Sequence, residues 1–452
     1  NKVFLITGLL VISFISYFLL PTLFDKKIIA SEIKNQIQNK YNINIKFNEK
    51  INYGLLPKPH FVTKNLSIFL DKKKIANVEN FKTFISIGNF FSLNNLEIKD
   101  LIFRKADFNI NSNDLSFFTN LLKTEPNENK IIIKNSDIFF KNENDEVLFI
   151  NKIYNSQFYY DFNNLENTLK SRNGIFNLPF KLSIKNDKFN KKVFFEFNSK
   201  KIRLNLKNEV DYKDKIIKGL SDILLVNKST TFGYVVKKNS INFNSKDTKN
   251  YYNGTIDLKP FYFSANFNYE GISSKNLFEN ESILFELIRS ELFNNVNLNV
   301  NLNLKVKDIT NISELNNLLL KISIEEGDIN LSNSSIMWKD DLIIFLNDGL
   351  IRYDNNDIIL IGRFLINVKD QDNFYSSFQI KKNYRKDLEN IEFDFVYNFT
   401  KNKMSFDNLK INNKVNNDLD EFVNDYGLNE FKVFNKITFK NLVNNFFRAY
   451  SG

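Results

Sequence analysis

The chain has 452 residues, of which 25% are charged and 43% are hydrophobic. This composition excludes an intrinsically disordered chain and a multi-span membrane protein. The chain has no Cys, which excludes a disulfide scaffold and a Cys-ligated metal site. Its single His, His60, excludes a His-rich zinc site and leaves a Ser-His-Asp triad only if His60 is the base. We therefore expect no cofactor and no metal.

The charge is basic but dispersed. Lys and Arg number 62 against 52 Asp and Glu, which gives a net charge of +10 and a pI of about 9.2. Such an excess suits nucleic acid or an anionic membrane surface. The largest Lys groups lie at Lys72–Lys74 and Lys381–Lys386, and no RNP, zinc-finger or helix-turn-helix spacing accompanies them. The sequence therefore predicts no nucleic-acid partner.

The strongest physical signal is an apolar N-terminal run. Val3–Phe24 carries no charge, and at about 1.5 Å per residue it is long enough to cross the ~30 Å hydrocarbon core of a bilayer. A cleaved signal peptide would place small residues after the run, whereas Pro21–Phe24 follow here. We predict a retained membrane anchor within residues 1–25. Its anchoring side chains are Val3, Phe4, Leu5, Leu9, Leu10, Phe14, Phe18, Leu19 and Leu20.

The orientation of this anchor stays open on charge alone. Lys26, Lys27, Lys34 and Lys40 outnumber Lys2, which favours a cytoplasmic location for the C-terminal side. Large domains, however, cross membranes largely regardless of flanking charge.

Helical spacing recurs at a few places beyond the anchor. Ile29, Ile33, Ile37 and Tyr41 are four residues apart, which predicts an amphipathic helix. Further helices are predicted at Leu115–Leu122, Glu281–Asn294 and Ser313–Leu320. A C-terminal amphipathic helix is predicted from residues three and four apart, namely Phe439, Leu442, Val443, Phe446, Phe447 and Tyr450.

From about Ile131 to Phe406 the dominant period is two. In the clearest stretch, six apolar residues alternate with Asn and Lys, and a second stretch repeats the pattern. This predicts a mainly β fold with an antiparallel or mixed sheet that has one dry and one wet face. The dry face either lines an open groove or forms the closed core of a sandwich or barrel, because both give the same alternation. The candidate lining residues are Phe261, Phe263, Phe267, Val296, Leu298, Val300, Leu302, Leu304 and Val306.

A short pattern of small residue, Asp and apolar residue occurs at Ala106–Phe108, Ser136–Ile138 and Gly327–Ile329. A strand-repeat architecture would produce it, and so would hairpin turns that use Asp.

The order of features near the N-terminus resembles that of a known family. An anchor and a helix lead into Ile51–Pro59, where Gly54, Leu55, Leu56, Pro57 and Pro59 look like a strand that ends in a leucine-proline turn. Asn65–Ile68 and Lys74–Glu79 then look like the next strands and turn. Over about the first quarter of the chain, this order resembles the AsmA family of bacterial inner-membrane-anchored proteins.

The resemblance implies an elongated, curved β-sheet that forms an apolar groove, held at the inner membrane with most of the chain in the periplasm. It also implies phospholipid as cargo, moved toward the outer membrane, and envelope proteins as further partners. A continuous apolar trough would spare acyl chains the cost of exposure to water, about 25 cal/mol per Å². The expected division is an anchor (1–25), a helix with strands (26–125), a β-sheet groove (126–415) and a helical segment (416–452).

Two other function classes remain open at this point. An assembly or scaffold factor for outer-membrane proteins would pair clients with its strand edges and would need no apolar groove. An enzyme acting on glycans would need paired carboxylates on one strand face. The acidic pairs Glu325–Glu326 and Asp340–Asp341 instead read as solvated turn residues, so we expect no enzyme.

Overall fold

The protein is mainly β and divides into two compact units, Asn1–Lys215 and Ile216–Gly452, called unit 1 and unit 2. The boundary between the units falls within the expected β-sheet groove (126–415), and the fourfold division made from the sequence stays a prediction. The computed structural model describes residues 2–70, 72–88, 90–92, 96–111, 114, 128–142, 144–213, 217–225, 228–237, 240–245, 250–258, 261–274, 287–288, 292–293, 295–354, 357–401, 403–415, 419, 422 and 436–450.

Unit 1 begins with two helices, α1 (Lys2–Leu19) and α2 (Lys26–Tyr41), joined by a short 3-10 turn at Leu20–Leu23. Its strands are β1 Asn44–Phe47, β2 Asn52–Gly54, β3 His60–Leu70, β4 Lys73–Ile85, β5 Ile98–Asn111, β6 Ile131–Lys141, β7 Val147–Asp161, β8 Glu166–Ile175, β9 Leu178–Asp187, β10 Lys192–Ser199 and β11 Leu204–Asp211. Neighbouring strands pair antiparallel, except that β5 and β6 are parallel.

Helix α1 and the 3-10 turn that follows it contain the 18-residue apolar segment Ile6–Leu23, which is long and apolar enough to cross a membrane and is almost uncovered by the rest of the chain. Of the predicted anchoring residues, Phe4, Leu9, Leu10, Phe14 and Leu19 are exposed, whereas Phe18 and Leu20 are half-buried. The side chains of Val3 and Leu5 lie outside the described part of the chain. The structure thus contains a helix of the predicted type.

Helix α2 forms where the four-residue spacing predicted it. The Asp25 side chain accepts a hydrogen bond from the Lys27 backbone N–H at 2.7 Å, and the helix ends at Asn42 in the left-handed conformation. Its apolar stripe is buried against the sheet, because Ile33 and Ile37 pack in one cluster with Phe61 and Phe81. This helix therefore supplies the cover that converts the first strands into a closed core.

The short Asp pattern marks irregularities in strands. Ala106–Phe108 and Ser136–Ile138 lie side by side in the parallel pair, where Asp107 is opposite Asp137. The residue before each copy, Lys105 or Asn135, has a positive φ and is left out of the strand pairing, although the register is the same on both sides of it. The third copy begins inside the two-residue hairpin turn Glu326–Gly327. Both explanations therefore hold in part: two copies lie within paired strands and one lies at a turn.

Unit 2 contains β12 Ile217–Leu225, β13 Lys228–Val236, β14 Ser240–Ser245, β15 Asn250–Leu258, β16 Phe261–Ser273, β17 Asn299–Thr310, β18 Leu315–Glu325, β19 Asp328–Asn330, β20 Ser334–Trp338, β21 Leu342–Asp354, β22 Asp357–Val368, β23 Asn390–Asn398, β24 Lys403–Ile411 and β25 Lys414–Val415. Its helices are α3 (Gln371–Phe378), with a 3-10 turn at Lys382–Tyr384, and α4 (Lys436–Ala449). The strands pair antiparallel, except that β16 and β17 are parallel.

The helix predictions in unit 2 have different outcomes. The C-terminal helix is confirmed as α4. The helix predicted at Ser313–Leu320 is wrong, because Leu315 begins β18. Leu315 and Leu318 are both buried although they are three residues apart, because the strand register shifts between Asn316 and Leu319. This spacing of buried residues imitates that of a helix. Of the segment Glu281–Asn294, Leu287 and Ile288 are helical and most of the rest lies outside the described residues, as does Leu115–Leu122.

The dependence of unit 1 on α2 is testable with a matched pair of variants in the full chain. We expect Ile33→Ala, at a fully buried position, to lower the free energy of opening of β3–β5 by about 2–5 kcal/mol. The control Ile28→Ala removes an exposed side chain of the same helix, and we expect a change within about 0.5 kcal/mol. Hydrogen-exchange mass spectrometry of β3–β5 peptides measures both, and equal effects would contradict the packing role of α2.

Candidate functional site

The predicted lining residues meet at the parallel pair of β16 and β17. Phe263 lies opposite Val300, and Phe267 lies opposite Leu304, so their side chains point to the same face of the sheet. Leu302 lies opposite Ala265 between them. The structure thus brings most of the predicted lining residues together on one surface, which we call the apolar face of unit 2.

Two of the predicted residues lie at the margin of this face. Val296 precedes β17 and is 64% exposed, and Phe261 begins β16 and is 40% exposed. Leu298 also precedes β17, but it is half-buried and packs against the cluster that contains Val300. The strict alternation of the sequence therefore extends beyond the hydrogen-bonded strand.

The apolar face continues onto the next strands of unit 2. On β18, Ile322 lies opposite Leu302 and Leu320 lies opposite Leu304. Farther along, Phe364 of β22 stacks on Phe395 of β23, with ring centroids 4.3 Å apart. Aromatic and branched side chains from several strands thus line one surface.

The apolar side chains of β17 are more deeply buried toward its two ends than in its middle. Val300 is buried in a cluster with Ile288 and Phe293, and Val306 is buried in a second cluster with Phe374. Leu302 and Leu304, which lie between them, are only half-buried. The face is therefore covered at both ends of β17 and partly open in the middle, unlike the uniformly buried core of a sandwich.

The opposite side of the same strands is polar. The Asn303 amide donates to the Asn266 carbonyl oxygen at 3.1 Å, and the Asn266 amide donates to Asn253 at 3.0 Å. On β22 and β23, Arg363 and Asp394 form an ion pair at 2.8 Å, which lowers the pKa of Asp394. The polar groups thus pair with one another on the wet face, and the dry face carries the apolar side chains.

An apolar cavity lies where helices α3 and α4 cover the sheet of unit 2. Its volume is about 170 Å³, and every residue that lines it is hydrophobic. The lining residues are Leu342, Ile344, Ile366, Val368, Phe374, Ile391, Phe393, Phe406, Leu409, Phe422, Leu442, Val443, Phe446 and Phe447.

Helix α4 is held over this cavity by apolar and polar contacts with α3. The Phe447 and Phe374 rings lie 5.9 Å apart. The Asn444 amide donates to the Phe378 backbone carbonyl at 2.9 Å, and Lys440 Nζ donates to Gln379 Oε1 at 2.6 Å. Because these contacts join two short helices along one side, α4 has the geometry of a cover over the cavity.

Sequence reasoning missed α3, although its signals were present. Asp370 precedes the helix and accepts a hydrogen bond from the Asn373 backbone N–H at 2.9 Å. Phe374 and Phe378 are four residues apart and both are buried. A helix of only two turns contains few repeats of the helical spacing, and the alternating pattern of the strands around it obscured them.

Unit 1 has an apolar face of its own on β9–β11. Phe197 lies opposite both Leu182 and Leu206, and Phe195 lies opposite Ile184; all these side chains are half-buried. Buried Asn side chains at positions 167, 173 and 186 interrupt this face. The face of unit 2 is therefore the more continuous apolar surface.

Tyr269 is a titratable residue of β16 that packs against the buried cluster of Val306 and Phe374. Burial, together with a hydrogen bond to Tyr252, raises the pKa of Tyr269 on β16, so this phenol stays neutral at physiological pH. Within the described residues, no three His, Asp or Glu side chains lie close enough to hold a metal ion. His60 is buried at the start of β3, with Nδ1 2.7 Å from the Lys58 carbonyl oxygen.

The leucine-proline turn lies between β2 and β3. Gly54 ends β2 with the His60 ring so close that a Cβ atom at position 54 would lie 2.6 Å from it, which explains the glycine. Pro59 is buried, whereas Leu56 and Pro57 are exposed and Leu55 is half-buried.

Comparison with known proteins gives no identity: no family model and no curated protein matches the chain.

The attachment of α4 is testable with adjacent Asn variants. We expect Asn444→Ala, which removes the hydrogen bond to Phe378, to destabilise the docked helix by about 1 kcal/mol, or roughly a fivefold increase in its hydrogen-exchange rate. The control Asn445→Ala changes an exposed residue one position away and should leave the rate unchanged. Equal exchange in both variants would show that the Asn444 contact does not hold α4.

Proposed function

We propose that this chain is a membrane-anchored protein similar to the AsmA family that binds the acyl chains of phospholipids on its apolar face and conducts them toward the outer membrane. In this proposal, α1 is anchored in the bacterial inner membrane and most of the chain lies in the periplasm. The supporting observation is the apolar face of unit 2, which is half-buried in the middle of β17 and extends over strands that line a purely apolar cavity.

Partial burial supports this function because a closed core would leave no surface for a ligand. Leu302 and Leu304 retain exposed area although their neighbours Val300 and Val306 are buried on the same strand. An acyl chain laid over these residues would remove apolar area of both the protein and the lipid from water. Each Å² of buried area would contribute about 25 cal/mol to the free energy of binding. Such binding needs no specific polar contact, which suits a face that carries aliphatic and aromatic side chains.

The separation of polar and apolar groups supports the same function. The Asn ladder at positions 253, 266 and 303 and the Arg363–Asp394 pair lie on the opposite side of the sheet. A ligand with a long hydrocarbon chain would therefore meet an uncharged surface on one side only. A soluble polar substrate would find few partners there.

The experiment uses the full chain reconstituted in nanodiscs that contain a phospholipid with a photoactivatable acyl chain. We expect crosslinks to β16–β18 and a reduction of about tenfold in Leu302→Asp, because lipid binding would then have to desolvate a carboxylate on the apolar face. The matched control Asn303→Asp introduces the same charge at the adjacent residue, which lies on the polar face, and this variant should retain the crosslinks.

A second readout separates binding from folding. Fluorescence of Trp338, the only Trp, reports the unfolding of unit 2, where this side chain is buried and stacks on Phe378. Retained unfolding behaviour with lost crosslinks would support the open face, and unfolding of Leu302→Asp would indicate a closed core. Recovery of nascent outer-membrane proteins without lipid would instead favour the assembly-factor function.

A further inference from the structure

A group of apolar side chains in unit 1 is exposed next to the C-terminal end of α1. Leu23 is 79% exposed, Leu56 is 81% exposed, Ile87 is 55% exposed and Phe91 is 78% exposed. Isolated exposed apolar residues are common on protein surfaces, but a group of them marks an interaction site. We call these four residues the collar.

Hydrogen bonds tie the collar segments to α1. The Tyr17 hydroxyl donates to the Ile87 carbonyl at 2.8 Å and accepts from the Phe90 backbone N–H at 3.2 Å. The Tyr53 hydroxyl donates to the Phe18 carbonyl at 2.6 Å. The ends of β2 and β4 are therefore fixed to the last turn of α1.

Aromatic packing reinforces the same junction. The Tyr17 ring lies 5.3 Å from the Phe90 ring and 5.2 Å from the Phe91 ring. Phe90 is fully buried, whereas its neighbour Phe91 is 78% exposed even though its ring contacts Tyr17. Both aromatic residues thus attach the segment to α1, and Phe91 keeps most of its surface uncovered.

The two collar segments outside the anchor lie at the same end of the sheet. The Ile85 backbone N–H donates to the Pro59 carbonyl at 3.1 Å, and His60 lies opposite Phe84 in the pairing of β3 and β4. Leu56 and Ile87 thus belong to adjacent connections. Both connections lie at the edge of unit 1 that contacts the last turn of α1.

The charges around the collar suit a lipid surface. Lys26 and Lys27, which begin α2, and Lys58, which lies between β2 and β3, are exposed. The acids near them are Asp25, which precedes α2, and Glu97, whose backbone carbonyl accepts from the Ser86 N–H and whose carboxylate pairs with Lys40 and Lys99. Lys side chains near a membrane are attracted to the anionic phosphates of its lipids. Tyr17 and Tyr53 lie where aromatic residues are enriched, at the end of an apolar helix.

We propose that the collar inserts into the headgroup and acyl boundary of the bilayer that α1 spans, so that unit 1 is seated on the membrane surface. A bilayer is the occupant because the collar is continuous with the exposed apolar surface of α1, which is long and apolar enough to span one. In this arrangement, the connections that follow β2 and β4 lie among the lipid headgroups. This inference rests on the membrane anchoring in the proposed function and is independent of lipid transfer.

The absence of native Cys makes a direct test simple. Full-length single-Cys variants Leu56→Cys and Phe91→Cys, labelled with an environment-sensitive nitrobenzoxadiazole dye, are reconstituted in vesicles of phosphatidylethanolamine and phosphatidylglycerol. Insertion to ~5–10 Å should blue-shift the emission and allow quenching by lipids that carry a nitroxide near the headgroup. The vesicles contain no other protein, so a protein partner cannot produce the signal.

Two further labels serve as controls. Phe189→Cys labels a 92% exposed residue in the turn between β9 and β10 and should report water. Leu10→Cys labels the middle of α1 and should report hydrocarbon. If Leu10 reports hydrocarbon while Leu56 and Phe91 behave like Phe189, the collar proposal is wrong although the anchor stands. If Leu10 also reports water, the anchor itself is wrong and the collar proposal falls with it.

Discussion

The strand pairing of this protein depends on one constraint: neighbouring strands keep a register in which apolar side chains share a face. In unit 2, the pairings of Phe263 with Val300 and of Leu302 with Ile322 align residues far apart in sequence on one surface. A shift of one residue would turn these side chains to the wet side and the Asn side chains to the dry side. The apolar face and its polar counterpart are thus two consequences of the same register.

Helices then decide which parts of that face become core. In unit 1, α2 covers the first strands, and its residue Ile33 packs in one buried cluster with Phe81 of β4. In unit 2, α3 and α4 cover part of the sheet, and an apolar cavity lies between these helices and the strands. Leu302 and Leu304 lie between covered regions and remain half-buried. Among the described residues, the part of the dry face that stays exposed is therefore the part that no helix covers.

Irregular residues place the bulges and turns of the strands. Asn135 and Lys105 adopt a left-handed conformation in adjacent parallel strands, and Asn is among the residues that tolerate it best. A positive φ coincides with a shift in strand register at Asn317 on β18 and at Asn408 on β24. Part of the Asn usage in this chain thus has a structural role, because bulges raise the local twist of a strand.

The sequence alone determined the apolar helix α1, the four-residue stripe of α2, the alternating strands and the C-terminal helix, since each depends on a local period. It could not determine that β5 and β6, or β16 and β17, run parallel, because that choice depends on the path of the chain between them. Leu315 misled the helix prediction because a bulge imitates helical spacing. Only the tertiary structure placed α3 and α4 over the cavity and left Leu56 and Phe91 exposed beside α1, because burial depends on which distant segments pack together.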